Sequence, residues 1–234
     1  NMANNKKSRV ISSSIIVEYE ADIIQFTKTW NNDFKHLENF FGKFGIKSSI
    51  DKKIINPYFQ DWSNIKGFGD LLVLPKTKID CAFILRTCYL SNILLTISAG
   101  RTNLTGSATP RGGVIMTTEL LTEPGIDLDV DKKEALCPVG IKLETFREKV
   151  LDLSNNSLYY VADPTSRSDA CVGGTISTNA SGFVPGEKGA TRHWVKEVEF
   201  LLPNGDLIHI KRGQYISQNG HFKIEYEKKV VDLP

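Results

Sequence analysis

The 234 residues, 41% hydrophobic and 24% charged, suffice for one large domain or two small ones and have the balance of a soluble globular protein. With 29 Lys and Arg against 27 Asp and Glu, the formal charge of +2 gives no ground for nucleic acid or an anionic membrane as partner. No apolar run reaches the roughly 18 residues of a membrane span, and Cys81, Cys88, Cys137 and Cys171 lack the CxxC pairing of a zinc or iron–sulfur site.

The start, NMANNKKSRV, has no apolar stretch of the signal-peptide kind, and residues 1–14 are polar, so this end is expected to fray. The cysteines read as free, reduced thiols, which fits a cytoplasmic protein. From Ile23 onward, apolar residues recur at Phe26, Trp30, Phe34, Leu37, Phe41 and Phe44. Steps of three and four predict an amphipathic helix, broken once near Asn31 and Asn32, with its aromatic stripe packed on the body. Gly45 and Pro57 end this helical region.

At Leu71 the pattern changes to short strands alternating with helices. Residues 71–75 (LLVLP) read as a buried strand, 77–90 as a helix and 93–97 as a second strand. That strand runs into a glycine-rich segment at 98–113, SAGRTNLTGSATPRGG, and 113–116 resumes as a strand. A loop at the carboxyl end of a strand is where α/β units usually bind ligands. Residues 128–130 and 134–137 predict a hairpin, and Leu143, Phe146, Val150 and Leu153 space a helix.

A second segment of the same character covers 163–189, DPTSRSDACVGGTISTNASGFVPGEKG. After it, Val198, Phe200 and Leu202 alternate, Asn204 and Gly205 signal a two-residue type I′ turn, and Ile208 and Ile210 return. Beyond Gly213 the chain is polar, with one expected strand at 222–226 and no closing element before Pro234.

Neither glycine-rich segment can build a core. Glycines let backbone pass close to a bulky ligand, and free N–H groups can hold a phosphate. Two such segments suggest one long ligand gripped from two sides. Neither is a P-loop, because no Lys-Ser/Thr pair follows the glycines, and neither contains the GxGxxG of a dinucleotide fold.

The pair resembles the FAD-linked oxidase family of the p-cresol methylhydroxylase and vanillyl-alcohol oxidase type, in particular its branch of D-lactate dehydrogenases and glycolate oxidase flavin subunits. A family loop of the form GGGTxLxGGAxP is matched by Ala99, Gly100, Arg101, Thr102, Asn103, Leu104, Thr105 and Gly106, running on to Pro110. A second pattern, DPSSxxxxTIGGxIATNAGG, is matched by Asp163, Pro164, Thr165 and Ser166, then Gly173, Gly174, Ile176, Thr178, Asn179, Ala180 and Gly182. Lys188-Gly189-Ala190-Thr191 and Leu202-Pro203-Asn204-Gly205 follow at the family's positions for YGxT and VLPDG. The resemblance covers roughly 70–213.

It implies an α+β, two-lobed FAD-binding domain: a small strand–helix–strand lobe at 69–122, a mainly antiparallel lobe at 123–234, and a helical N-terminal segment at 1–68. Residues 99–106 would wrap the pyrophosphate, Gly173, Gly174, Thr178, Asn179 and Gly182 would line the flavin and ribityl side, and Val198 would lie near adenine. Bulk at Gly174 is expected to block the flavin through intrusion and forbidden dihedrals. The FAD would be non-covalent, since none of His36, His193, His209 and His221 falls in the first loop.

Two departures stand out. Arg101 intrudes where the family has glycine, free to meet a phosphate or solvent. Nothing between Gly213 and Pro234 matches the family's further FAD-facing segment or its substrate cap, so no catalytic or metal-binding residue is assigned. The implied activity is oxidation of a small 2-hydroxy acid or similar alcohol by hydride transfer to flavin, with the electron acceptor open. Two readings compete: a flavin-binding or empty fragment without activity of its own, and a reductase of the UDP-sugar enol ether type. The DPTS and GGTISTNASG stretches follow the oxidase pattern. A plain interaction module would leave both segments unexplained.

Overall fold

The computed structural model describes residues 9–226 and 229–234. A short strand β1 (Arg9–Ile11) leads through a 3₁₀ turn into helices α1 (Glu20–Thr29) and α2 (Phe34–Lys43). The break between them falls at the expected asparagines. Asn32 adopts φ +67, and the Asp33 carboxylate caps α2 by accepting from the N–H groups of Lys35 and His36. Gly45, at φ +74, ends α2, with Ile46 N–H donating back to the Phe41 carbonyl. The aromatic stripe is core: Phe40 and Phe41 pack against Phe83, with ring centroids 5.5 and 6.2 Å apart.

Strand β2 (Lys47–Ser49) and the single turn α3 (Lys52–Ile55) precede β3 (Leu71–Leu74), α4 (Lys78–Leu90), β4 (Leu95–Ser98) and β5 (Val114–Thr117). These strands form one sheet in the order β2-β3-β5-β4, parallel except for β2. Strand alternation separates its faces. Leu71, Val73, Val114 and Met116 meet α1, α2 and α4, while Leu72 and Ile115 meet Ile55, Tyr58 and Phe59. The N-terminal segment therefore supplies a strand to this sheet and covers both of its faces.

A capping box of Thr77 and Asp80 opens α4. Its C-terminal turn, with Asn92 at φ +53 and Ile93 N–H on the Cys88 carbonyl, delays β4 to Leu95, two residues later than the sequence reading. Because β5 lies between β3 and β4, the first glycine-rich segment must leave the carboxyl end of β4 and return to the amino end of its neighbour.

The second lobe holds its own small core of Leu143, Phe146 and Val150 from α5 (Leu143–Leu153). Its strands form separate antiparallel hairpins instead of one sheet: β6 (Asp127–Asp129) with β7 (Glu134–Leu136), and β8 (Glu197–Leu201) with β9 (Leu207–Lys211). Short helices α6 (Val172–Ser177) and α7 (Thr191–Trp194) lie between them.

The β8–β9 turn is not type I′. Gly205 N–H donates to the Leu202 carbonyl and Leu202 N–H to the Asp206 carbonyl, with only Gly205, at φ +84, in the left-handed region. Pro203 has no N–H to close a two-residue turn on Asn204 and Gly205, and its fixed negative φ suits the second position of a type I turn closed by a glycine bulge.

The chain ends also differ from expectation. Strand β10 (Phe222–Tyr226) forms as foreseen, but β11 (Lys229–Leu233) closes against it, and β1 pairs with it in parallel. Residues 9–13 are thus paired instead of frayed, Ser13 exchanging backbone hydrogen bonds with Leu207, while 1–8 lie outside the described residues. The architecture is α+β in two lobes.

Candidate functional site

The first glycine-rich segment leaves β4 at the fully buried Ser98. From Ala99 to Ser107 no backbone N–H donates a hydrogen bond among the described residues. The segment is held through the Arg101 carbonyl, the Asn103 side chain and N–H groups from Ala108 onward. Trp62 N–H donates to the Arg101 carbonyl (3.1 Å), and the Asp61 carboxylate accepts from Asn103 Nδ2 (2.7 Å), Ala108 N–H (3.3 Å) and Ser63 N–H (2.9 Å). Burial by itself would raise the Asp61 pKa, but donors from Ser63, Ala108 and Asn103 hold the carboxyl below its ordinary value. Asn103 also donates to Ser107 Oγ (2.8 Å), so its amide is turned inward, while Leu104 and Thr105 are exposed.

Arg101 is held by partners that the sequence did not announce. It adopts φ +56, pairs with Glu119 Oε1 at 3.0 Å and lies 4.4 Å from the Tyr58 ring centroid. The Tyr58 hydroxyl donates to Glu119 Oε2 (2.8 Å), and burial, reinforced by Glu119, pushes this phenol up to about 12. The guanidinium is committed to a carboxylate and an aromatic face.

Gly100 is required by proximity: a Cβ there would fall 2.1 Å from the Asp169 carbonyl oxygen. Gly106 combines φ +74 with a would-be contact of 2.9 Å to Ile65. In the second segment, Asp163 accepts from Arg147 (2.7 Å) and Arg167 (2.8 Å), which fixes the start of the run. Gly182 closes it, since a Cβ would lie 1.8 Å from the Asp163 carbonyl oxygen. Pro164 is buried, Ser166 half-buried and Thr165 exposed.

Between these ends, Gly173 in α6 packs on Val139, and Gly174 faces Ala99 Cβ at 3.5 Å. Gly174 is helical and not left-handed, so the forbidden-dihedral argument does not hold for it. The Thr178 hydroxyl bonds the Gly174 carbonyl (3.0 Å). Asn179, at φ +48, accepts from Arg192 N–H through Oδ1, and the Ala180 carbonyl accepts from Thr191. Ile176 is half-buried on α6.

The two segments thus meet: Ala99 and Gly100 lie against Asp169, Ala170 and Gly174. Beside the junction is a cavity of about 330 Å³ lined by Gln60, Asp61, Trp62, Gly100, Arg101 and Asp169. Val198 is not at this junction; it lies on β8 in register with Ile210. Asp61, Tyr58 and Glu119 had no motif to announce them, being polar residues outside both segments. His193 pairs with Glu187 at 3.3 Å and packs on Trp194. Among the described residues no His, Cys, Asp and Glu group could hold a metal, and no helix is long and apolar enough to cross a membrane.

A family model described as FAD binding domain matches residues 69–211. The chain is 27% identical over 181 residues to the D-2-hydroxyglutarate dehydrogenase of Stutzerimonas stutzeri, covering 75% of this chain and 37% of that protein. It is 28% identical over 141 residues to a D-lactate dehydrogenase of Archaeoglobus fulgidus, covering 60% and 30%. The chain spans about a third of the length of these relatives. A solved alkyldihydroxyacetonephosphate synthase shares the fold, with TM-score 0.62 at 16% identity over 85% of this chain and 36% of that one. As the match takes in more than half of the residues and both glycine-rich segments, the chain belongs to the FAD binding domain family of the p-cresol methylhydroxylase type.

Proposed function

We propose that this chain is the FAD-holding part of a flavoprotein oxidoreductase that oxidises a small 2-hydroxy acid. The observation that carries the reading is the junction of the two segments, where Gly100 and Asp169 touch beside a run of unspent N–H groups. The residues fit the cofactor. A pyrophosphate needs several donors converging without intervening side chains, and 99–107 offers main-chain N–H groups that bond nothing else among the described residues.

When bound, FAD supplies the hydride-accepting ring. The chain's own share is to bind and orient it. Residues 99–106 receive the diphosphate, Gly173, Gly174, Thr178, Asn179 and Gly182 border the flavin and ribityl side, and Val198 is assigned to the adenine end. Asp163 acts through its arginine pairs as an anchor of the second segment, with Pro164, Thr165 and Ser166 forming its entry turn. Attachment is non-covalent, as no histidine stands in the first segment. The names of the two dehydrogenase relatives support a D-2-hydroxy acid as substrate, and the cysteine usage supports a cytoplasmic site of action. Residues 69–122 and 123–234 are the two lobes of the FAD unit, with 1–68 bracing the first.

Titrating FAD with the purified chain tests this directly. Quenching of flavin fluorescence, competed by ADP, is expected; no quenching at high micromolar protein would overturn the reading.

A further inference from the structure

We propose that Asp61 is the positioning residue that holds the first glycine-rich segment open to a diphosphate. This rests on the FAD-binding reading above. Asp61 lies outside the stretch matched by the family model, on the N-terminal segment, and is only 3% exposed. Its Oδ2 joins Asn103 to Ala108, tying together two points of the segment five residues apart. Its Oδ1 is occupied by Ser63 N–H, and the adjoining Trp62 N–H holds the Arg101 carbonyl. Asp61 and Trp62 therefore hold the segment at three places: the Arg101 carbonyl, the Asn103 side chain and the Ala108 N–H. The N–H groups of 99–107 donate no hydrogen bond among the described residues.

The charge is the telling detail. No Lys, Arg or His lies within ion-pair distance of Asp61 among the described residues. A buried carboxylate held by dipolar donors alone carries a desolvation cost, and its sign opposes the anion that the segment would receive. Attraction cannot be its purpose. What a carboxylate offers here is acceptor capacity without any donor, so every neighbour it touches must turn an N–H toward it. An amide at this position would set its own NH₂ against Asn103 or Ala108.

The experiment compares FAD dissociation constants for the wild-type chain, Asp61→Ala, Asp61→Asn and the exchange Asp61→Asn with Asn103→Asp, by flavin fluorescence. Loss of hydrogen bonds to a charged group predicts weakening of about tenfold or more in both single variants. The exchange restores a donor–acceptor pair between 61 and 103 with reversed polarity, so it should recover part of the loss, which a merely structural residue would not show. In ligand-free protein, Asp61→Ala should speed hydrogen exchange at the Ala108 amide and leave the β8–β9 hairpin unchanged.

Equal affinity in wild type and Asp61→Ala would overturn the proposal while leaving the FAD reading intact. A wild-type chain that takes up no FAD would overturn both. Should Asp61→Ala fail to fold, Asn103→Ala removes the same bond from a half-buried position, and unchanged affinity there would overturn the proposal equally.

Discussion

Gly100 and Asp169 belong to different glycine-rich segments, yet the carbonyl oxygen of one stands 2.1 Å from where a Cβ of the other would be. That contact is backbone against backbone, so neither side can swing away as a flexible side chain would. It makes position 100 a joint between the lobes.

Gly100→Ala should therefore separate the segments. FAD affinity should fall by at least about tenfold, and the folded state should lose on the order of 1–3 kcal/mol from overpacking. Fluorescence titration and urea denaturation check the two effects. Wild-type affinity in this variant would show that the segments do not act as one site.

Gly174→Ala makes the opposite case. The glycine is helical and a Cβ would meet only Ala99 Cβ, at an ordinary 3.5 Å. Replacing glycine by alanine in a helix favours folding by roughly 0.5–1 kcal/mol. A small rise in thermal midpoint is expected, and a fall of several degrees would contradict the open space seen there.

Glu119→Gln tests the lock formed with Arg101 and Tyr58. The phenol, raised from 10.0 to about 12 by burial and by Glu119, should titrate lower once the carboxylate is gone and the guanidinium is left uncompensated. Because the folded pKa lies above the unfolded one, this tyrosine adds stability that is full below pH 10 and lost as pH rises toward about 12. The variant should narrow that window. Absorbance titration near 295 nm reads the phenol, and an unchanged midpoint would refute the coupling.

Gly205→Ala should destabilise the protein by roughly 1–3 kcal/mol. The residue has φ +84, and a Cβ would lie 2.5 Å from the Ala82 carbonyl oxygen in α4, beside the 3.0 Å pair of Arg86 with Asp206. The turn thus docks the second lobe's hairpin on the first lobe's helix. Chemical denaturation is the measure, and a loss below a few tenths of a kcal/mol would show the turn free of the helix.

What could be read in advance follows from how each signal arises. Alternating and helical spacings record burial, so α1, α2, α4, α5 and the β8–β9 hairpin were legible. Strand β2 is Lys-Ser-Ser, a polar trio with no period to detect, and it is held by the antiparallel edge of β3. The turn at Asn204 and Gly205 was misjudged because Pro203 outweighs the Asn-Gly preference.

The glycine-rich segments announced themselves by composition, but what each glycine does was hidden. Gly100 is there for approach, while the left-handed dihedral beside it is taken by Arg101. Asp61 was invisible because a buried carboxylate in a polar stretch looks like any surface acid until its partners converge from more than forty positions away.

The pairing of β1 with β10 has a temporal side. Arg9 and Glu225, joined at 3.1 Å, stand 216 positions apart. During synthesis β1 emerges first and must wait for its partner, roughly 10–40 s at ordinary elongation rates, while the four-stranded sheet and α1, α2 and α4 have every residue they need. Contacts of such long separation come late in folding. The β1-β10-β11 sheet thus closes after the four-stranded one, and a pulse of hydrogen-exchange labelling during refolding should find the amides of β10 unprotected after those of β3 and β5 are closed.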